Sequence, residues 1–442
     1  MLHDPALAAR RGADPRPRSA VSAGVGFAGL AGMALWLLVA RRLGMDGPYA
    51  ALTNVVAVAL PMVLWSVLVD KVHRNASTGI DWTRVRPWRE TIDVSLTKLA
   101  GLWFTWGAIA VIYASFRFYW DPSLGGFPFA MWCLQTAAPA LFVLSVPYVL
   151  WLDRRLVEPR DDGWAVGAWL MGLPGVERAA LARHARAWAV KAFFLAFMLS
   201  IVPPGFGDLI RMDWRGALAE PVALANLLIT AMFVIDVAFA TVGYILTLRP
   251  LDAHIRTANP YAGAWAAALM CYPPFVIMSD GGPLDYRPGT ADWTHWYAGH
   301  PALLAANGAV LLALTVIYAW ATVAFGLRFS NLTNRGILTH GPYALSRHPA
   351  YLSKNLFWWL ATIPVLATTG SWVDAFRNTV LMAAVSGVYW WRAKTEERHL
   401  SEDAAYRDYD AWMARHGPVP RLFAWLRGAD AGARDPGLSR EG

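Results

Sequence analysis

Two short runs in the last quarter of this 442-residue chain carry side chains that could do chemistry together. The first reads Gly341-Pro342-Tyr343, then Arg347-His348-Pro349-Ala350-Tyr351; the second reads Arg392-Ala393-Lys394-Thr395-Glu396-Glu397. Gly and Pro break regular structure, so Gly341-Pro342-Tyr343 is a turn. Pro349 suits the first turn of a helix, where no amide donor is required. The free amides of that turn attract anions, and Arg347 and His348 add to the potential. A ligand carboxylate or phosphate would be held there. Glu396 and Glu397 close a helix, where the macrodipole disfavours negative charge. That conflict points to a cationic partner, and the plain alternative is a surface salt bridge to Arg392, Lys394 or Arg398.

The whole pattern, with its two hydrophobic segments between the runs and a Tyr406-x-x-Tyr409 tail, resembles the isoprenylcysteine carboxyl methyltransferase and phospholipid methyltransferase superfamily. The resemblance covers about the last quarter of the chain. It implies a helical hairpin whose ends clamp S-adenosylmethionine. Carried over by position, Gly341 and Tyr343 shape the pocket, and Arg347, His348, Pro349 and Tyr351 form the cofactor-binding turn. Glu396 and Glu397, with Arg392, stand at the reaction centre. The cofactor's α-carboxylate would meet Arg347 and the helix amides; its ammonium and sulfonium would meet Glu396 and Tyr351. Many members have Gly shortly after the His-Pro-x-Tyr, where this chain has Leu352-Ser353-Lys354-Asn355. Asn355, with Trp358 and Trp359, is therefore expected to contact a different, lipid-like or amphipathic methyl acceptor. Two other readings stand beside this one. A membrane reductase of the sterol reductase type shares a related turn and binds NADPH, although a Glu pair is a poor neighbour for polyphosphate. A transporter or interaction protein would need buried charges along a path, and Asp236 is the clear mid-span example.

The elements that must position these residues are membrane helices. Hydrophobic residues make up 56% of the chain and charged residues 16%, against about 25% charged in a soluble domain. The 24 Trp favour membrane–water interfaces. The expected fold is all-α, a polytopic bundle of about ten spans near 22–40, 50–69, 99–116, 128–152, 187–203, 222–247, 262–278, 302–325, 354–369 and 376–391. Residues 1–325 are read as a scaffold of about eight spans and 326–442 as the methyltransferase-like membrane domain with its tail. Most Lys and Arg fall in 71–98, 153–191, 326–354 and after Arg392, which places both termini and both motif halves on the cytoplasmic face. Abundant Arg and Ala fit a GC-rich bacterial source and its inner membrane.

The remaining signals read as structure. The basic, Trp-rich loops at 71–98 and 153–190 suit anionic lipid, and nucleic acid is not an expected partner. Cys133 and Cys271 lie in apolar stretches and read as packing residues. No metal-ligand spacing stands out, and the Asp and His residues of 279–300 read as a solvated loop. Gly24-x-Gly26-x-x-Gly29 lies inside an apolar run, so it reads as close helix packing rather than a dinucleotide fingerprint.

Overall fold

A computed structural model describes residues 16–418 and Arg421. Arg10, Arg11 and the last 21 residues lie outside them, and so does any statement of where the termini sit. Among the described residues the chain is helical, with a single two-stranded ribbon. The main helices are α1 (Ala23–Leu43), α2 (Pro48–Leu64), α3 (Trp88–Ser115), α4 (Phe127–Asp153), α5 (Asp162–Leu170), α6 (Arg178–Arg211), α7 (Pro221–Ile245), α8 (Ala262–Leu269), α9 (Pro301–Phe325), α10 (Pro349–Thr362), α11 (Trp372–Leu400) and α12 (Ala404–His416). The ribbon pairs β1 (Thr257–Ala258) antiparallel with β2 (Thr333–Asn334).

Seven helices are long and apolar enough to cross a bilayer: α1, α2 with its continuation to Val69, α3, α4, α6, α7 and α9 with its continuation to Arg328. They fall on seven of the ten expected spans. The other three differ, each for a local reason. Over 262–278 the chain makes only the eight-residue α8 and then turns through Pro273-Pro274. At 354–369 the helix is α10, fourteen residues ending before Pro364, with a rise of roughly 21 Å against a hydrocarbon core near 30 Å. At 376–391 the helix is the 29-residue α11, ample in length, but Asp374, Arg377, Arg392 and Lys394 dilute its apolar character.

Close approach explains the glycines of α1. A Cβ at Gly26 would lie 2.7 Å from Val323 of α9, and one at Gly32 would lie 2.0 Å from the Ala57 carbonyl oxygen of α2. Small residues at such a seam let helix backbones meet. The core beneath it joins α1, α2, α6, α7 and α9 around Val58, Phe206 and Phe239. Further core charge in this part is compensated. Lys98 of α3 reaches Asp153 at 2.6 Å and Asp161 at 3.1 Å, and Ser95 donates to the same Asp153 at 2.9 Å. Asp236 of α7 accepts from Tyr318 at 2.8 Å and from Thr322, both on α9. The loop at 279–300 is partly ordered by its own ions, with Arg287 bridging Asp280 and Asp285.

Candidate functional site

The turn between β2 and α10 is held from three sides. Gly341 sits at φ +58°, a region that suits glycine, and a Cβ there would come within 3.2 Å of the Trp320 indole nitrogen. Behind it the Tyr343 ring packs edge-on to Phe325. The tail closes the third side: the Tyr409 hydroxyl donates to the Tyr343 carbonyl at 2.6 Å, and Asp410 pairs with Arg347. The Tyr406-x-x-Tyr409 tail is thus part of the wall.

Pro349 opens α10, which sets His348 and Tyr351 side by side with their rings stacked 5.6 Å apart at 6°. α11 brings the acidic pair to them. His348 Nε2 lies 3.1 Å from a Glu397 carboxylate oxygen, and its Nδ1 lies 3.8 Å from Glu396. Glu397 also takes Arg347 at 3.3 Å and Lys394 at 2.7 Å. Burial pushes the Glu397 carboxyl up, but the hydrogen bonds from His348 and Lys394 and the charge of Arg347 outweigh it and hold the group at about 2. The two glutamates therefore differ. Glu397 is a strut whose charge is consumed by three neighbours, while Glu396 faces the cavity with no ion pair closer than the 3.8 Å His348 contact among the described residues and with the Tyr351 hydroxyl beside it.

That cavity lies between the loop 328–338, the turn, and the facing sides of α9, α10, α11 and α12, with about 1070 Å³ of empty space including its open mouth. Drug-sized and cofactor pockets run to several hundred Å³ and more. Tyr343, Arg347, His348, Tyr351, Arg392 and Glu396 all line it. Gly341, Pro349 and Glu397 support the lining from behind. Asn355, Trp358 and Trp359 do not line it. Asn355 donates to the Tyr351 carbonyl at 2.8 Å within its own helix. Trp359 donates to Ser386 at 3.0 Å, and Trp358 packs on Tyr389 at 5.2 Å; both tie α10 to α11. Asn355 and Trp358 share the side of α10 that carries Tyr351, but their polar and ring contacts are taken up within the hairpin.

Several cavity residues carried no motif. Lys354, beside the expected Asn355, lines the inner end with Tyr318, Thr322, Tyr272 and Asn331. Tyr406 is buried, lines the cavity and has a hydroxyl without a hydrogen-bond partner among the described residues. The loop that carries Asn331 is pinned by Arg335, fully inside, which donates to the carbonyls of Gly243 at 2.8 Å, Phe329 at 2.7 Å and Leu327 at 2.9 Å, and to that of Ala253. Arg328 pairs with Asp252 at 2.7 Å, and Asp252 also accepts from Asn75 and Ser77. The long N-terminal part is therefore tied directly to the cavity wall. A run of Arg at 328 and 335 near a turn was the available signal, but nothing local says that carbonyls would converge on it.

A family model described as a protein of unknown function (DUF1295) matches residues 306–413. That stretch takes in most of α9, the loop, the hairpin and most of α12, which is the whole cavity wall apart from Tyr272. No curated protein and no solved structure gives a match. The cavity of this multi-helix membrane protein is thus built almost entirely from residues inside 306–413.

Proposed function

We propose that this protein is an integral membrane methyltransferase that uses S-adenosylmethionine and a lipid-like or amphipathic acceptor. The observation that carries the reading is the clamp itself: the resembled turn and the acidic pair, 49 residues apart, meet at one cavity mouth. The residues fit such a cofactor. Glu396 offers a carboxylate for an ammonium, the stacked His348 and Tyr351 faces suit a sulfonium, and the unpartnered Tyr406 hydroxyl offers a further polar contact. Arg347 is already engaged by Glu397 and Asp410, so it acts here as a strut for the turn rather than as the expected carboxylate ligand.

When bound, S-adenosylmethionine supplies a methyl group already activated by the sulfonium; the methyl–sulfur bond breaks and sulfur keeps the electron pair. The chain's own residues align the acceptor, hold charge and exclude water. A carboxylate acceptor needs no base. An amine or thiol acceptor must lose a proton, and Glu396 is then the carboxylate with capacity to take it. In this reading α11 is a further membrane element sheltered by its neighbours. In this reading the clamp faces the cytoplasm from a bacterial inner membrane, within reach of a soluble methyl donor, and the Lys and Arg distribution supports that orientation.

Titration of purified protein with labelled S-adenosylmethionine tests this. Saturable binding that falls at least about tenfold in Glu396→Ala and Arg392→Ala is expected. Absence of binding, unchanged binding in both variants, or tighter binding of NADPH would overturn it.

A further inference from the structure

The inner end of the cavity holds two cations with no carboxylate in ion-pair contact among the described residues. Arg392 is buried at 6% exposure. Its guanidinium sits over the rings of Tyr351 at 5.0 Å, Tyr389 at 5.4 Å and Tyr272 at 5.6 Å, and its one hydrogen bond is to the Asn331 side-chain oxygen at 3.3 Å. The Lys354 ammonium lies over Trp358 at 5.2 Å, Tyr318 at 5.4 Å and Tyr389 at 5.8 Å. The two share Tyr389 and line the same cavity. No carboxylate among the described residues ion-pairs with either. The nearest buried acid, Asp236, is hydrogen-bonded by Tyr318 and Thr322 and acts on Lys354 only through space, without an ion-pair contact.

Aromatic faces soften a buried positive charge but do not neutralise it, and two like charges around one ring repel. A folded protein keeps such an arrangement at a cost unless an anion completes it. Depth separates this pair from the mouth. Lys354 follows His348 by six residues of α10, roughly 9 Å of rise, and Arg392 precedes Glu396 by four residues of α11, roughly 6 Å. The cavity is thus polarised, with carboxylate at the mouth and cations inside.

We propose that Lys354 and Arg392 together form a receptor for an acidic group, a carboxylate or phosphate, at the inner end of this cavity. The receptor stands on the geometry alone; naming what brings the anion rests on the methyl-transfer reading. Two sources supply that chemistry: the acidic head of an amphipathic acceptor, or the amino-acid carboxylate of S-adenosylmethionine.

The test uses full-length protein in nanodiscs of zwitterionic lipid, with empty discs as the partition control. The probes are labelled oleate and dodecyl phosphate, with dodecanol and dodecylamine for comparison. The acidic probes should bind saturably and about tenfold or more tighter than the other two, and Lys354→Gln and Arg392→Gln should each remove most of that preference. Lys354→Arg, which keeps the charge, should retain it and shows that loss in Lys354→Gln is not misfolding. Parallel titration with S-adenosylmethionine identifies the source. If Lys354→Gln weakens its binding and oleate competes with it, the cofactor's carboxylate occupies the receptor; if its affinity is unchanged, the acceptor's acid does. Equal binding of acidic, neutral and cationic probes, or wild-type oleate affinity in both Gln variants, would overturn the receptor. Oleate binding without any S-adenosylmethionine binding would leave the receptor standing and overturn the methyl-transfer reading.

Discussion

Two buried lysines in this molecule live in opposite circumstances. Lys98, in the N-terminal helices, is held between Asp153 and Asp161. Lys354, in the C-terminal hairpin, has aromatic rings around it and no acid in ion-pair contact among the described residues. At Lys98 the buried charge is spent on the fold itself, tying α3, α4 and α5 together. The hairpin leaves buried cations uncompensated beside an open cavity. Compensated charge is what a scaffold requires, and uncompensated charge next to empty space is where a ligand belongs.

The contrast can be broken most sharply by removing the ammonium from each side. Lys98→Met strands Asp153, which has no exposure, and should lower stability by about 3–5 kcal/mol. Lys354→Met removes an unpaired charge and should leave the ligand-free protein as stable as wild type or more so. Thermal unfolding of both in the same detergent checks this, and a large loss for Lys354→Met would erase the distinction.

A middle-sized effect comes from Glu397, whose charge is used within the hairpin. Its carboxyl is depressed from 4.5 to about 2 in the folded protein, so the unfolded chain binds the proton first on acidification. Its contribution is therefore complete above about pH 5 and disappears as pH falls toward 2, with a size on the order of 2 kcal/mol. Unfolding midpoints of wild type and Glu397→Gln, followed from pH 7 downward, should converge over that window. A constant gap would mean that His348, Lys394 and Arg347 do not stabilise the charge.

The smallest effect sharpens the boundary of the cavity. Asn355→Ala alters a residue bonded within α10 and Trp359→Phe one on the α10–α11 seam, so S-adenosylmethionine affinity should change by less than about twofold, while loss of the Trp359–Ser386 hydrogen bond costs about 1 kcal/mol of stability. A tenfold loss of affinity in either would place the seam inside the binding surface.

Seven long helices were legible because eighteen or more apolar residues in a row leave few alternatives. The segments at 262–278, 354–369 and 376–391 were harder, since a hydropathy window does not register that Pro273-Pro274 stops one helix, that Pro364 follows the end of another, or that charge along a third can be sheltered by neighbours. The meeting of His348 with Glu397 was legible through the family resemblance of the two motifs and their spacing. That Asp410 and Tyr409 would grip the turn was visible only as a tail of matching type. Asn355 and Trp359 stand outside the cavity lining, because adjacency to a motif does not say which neighbours a side chain will meet.

By itself the sequence determined what must leave water and where charge must gather: apolar runs for the helices, and a turn and an acidic pair at the ends of a hairpin. Only the tertiary structure decided which charges are consumed and which remain. Arg347, Glu397 and Arg335 find partners far along the chain, whereas Arg392 and Lys354 find rings. Whether a buried charge is compensated depends on distances of a few ångströms between helices distant in sequence, because the interior screens charge far less than water does.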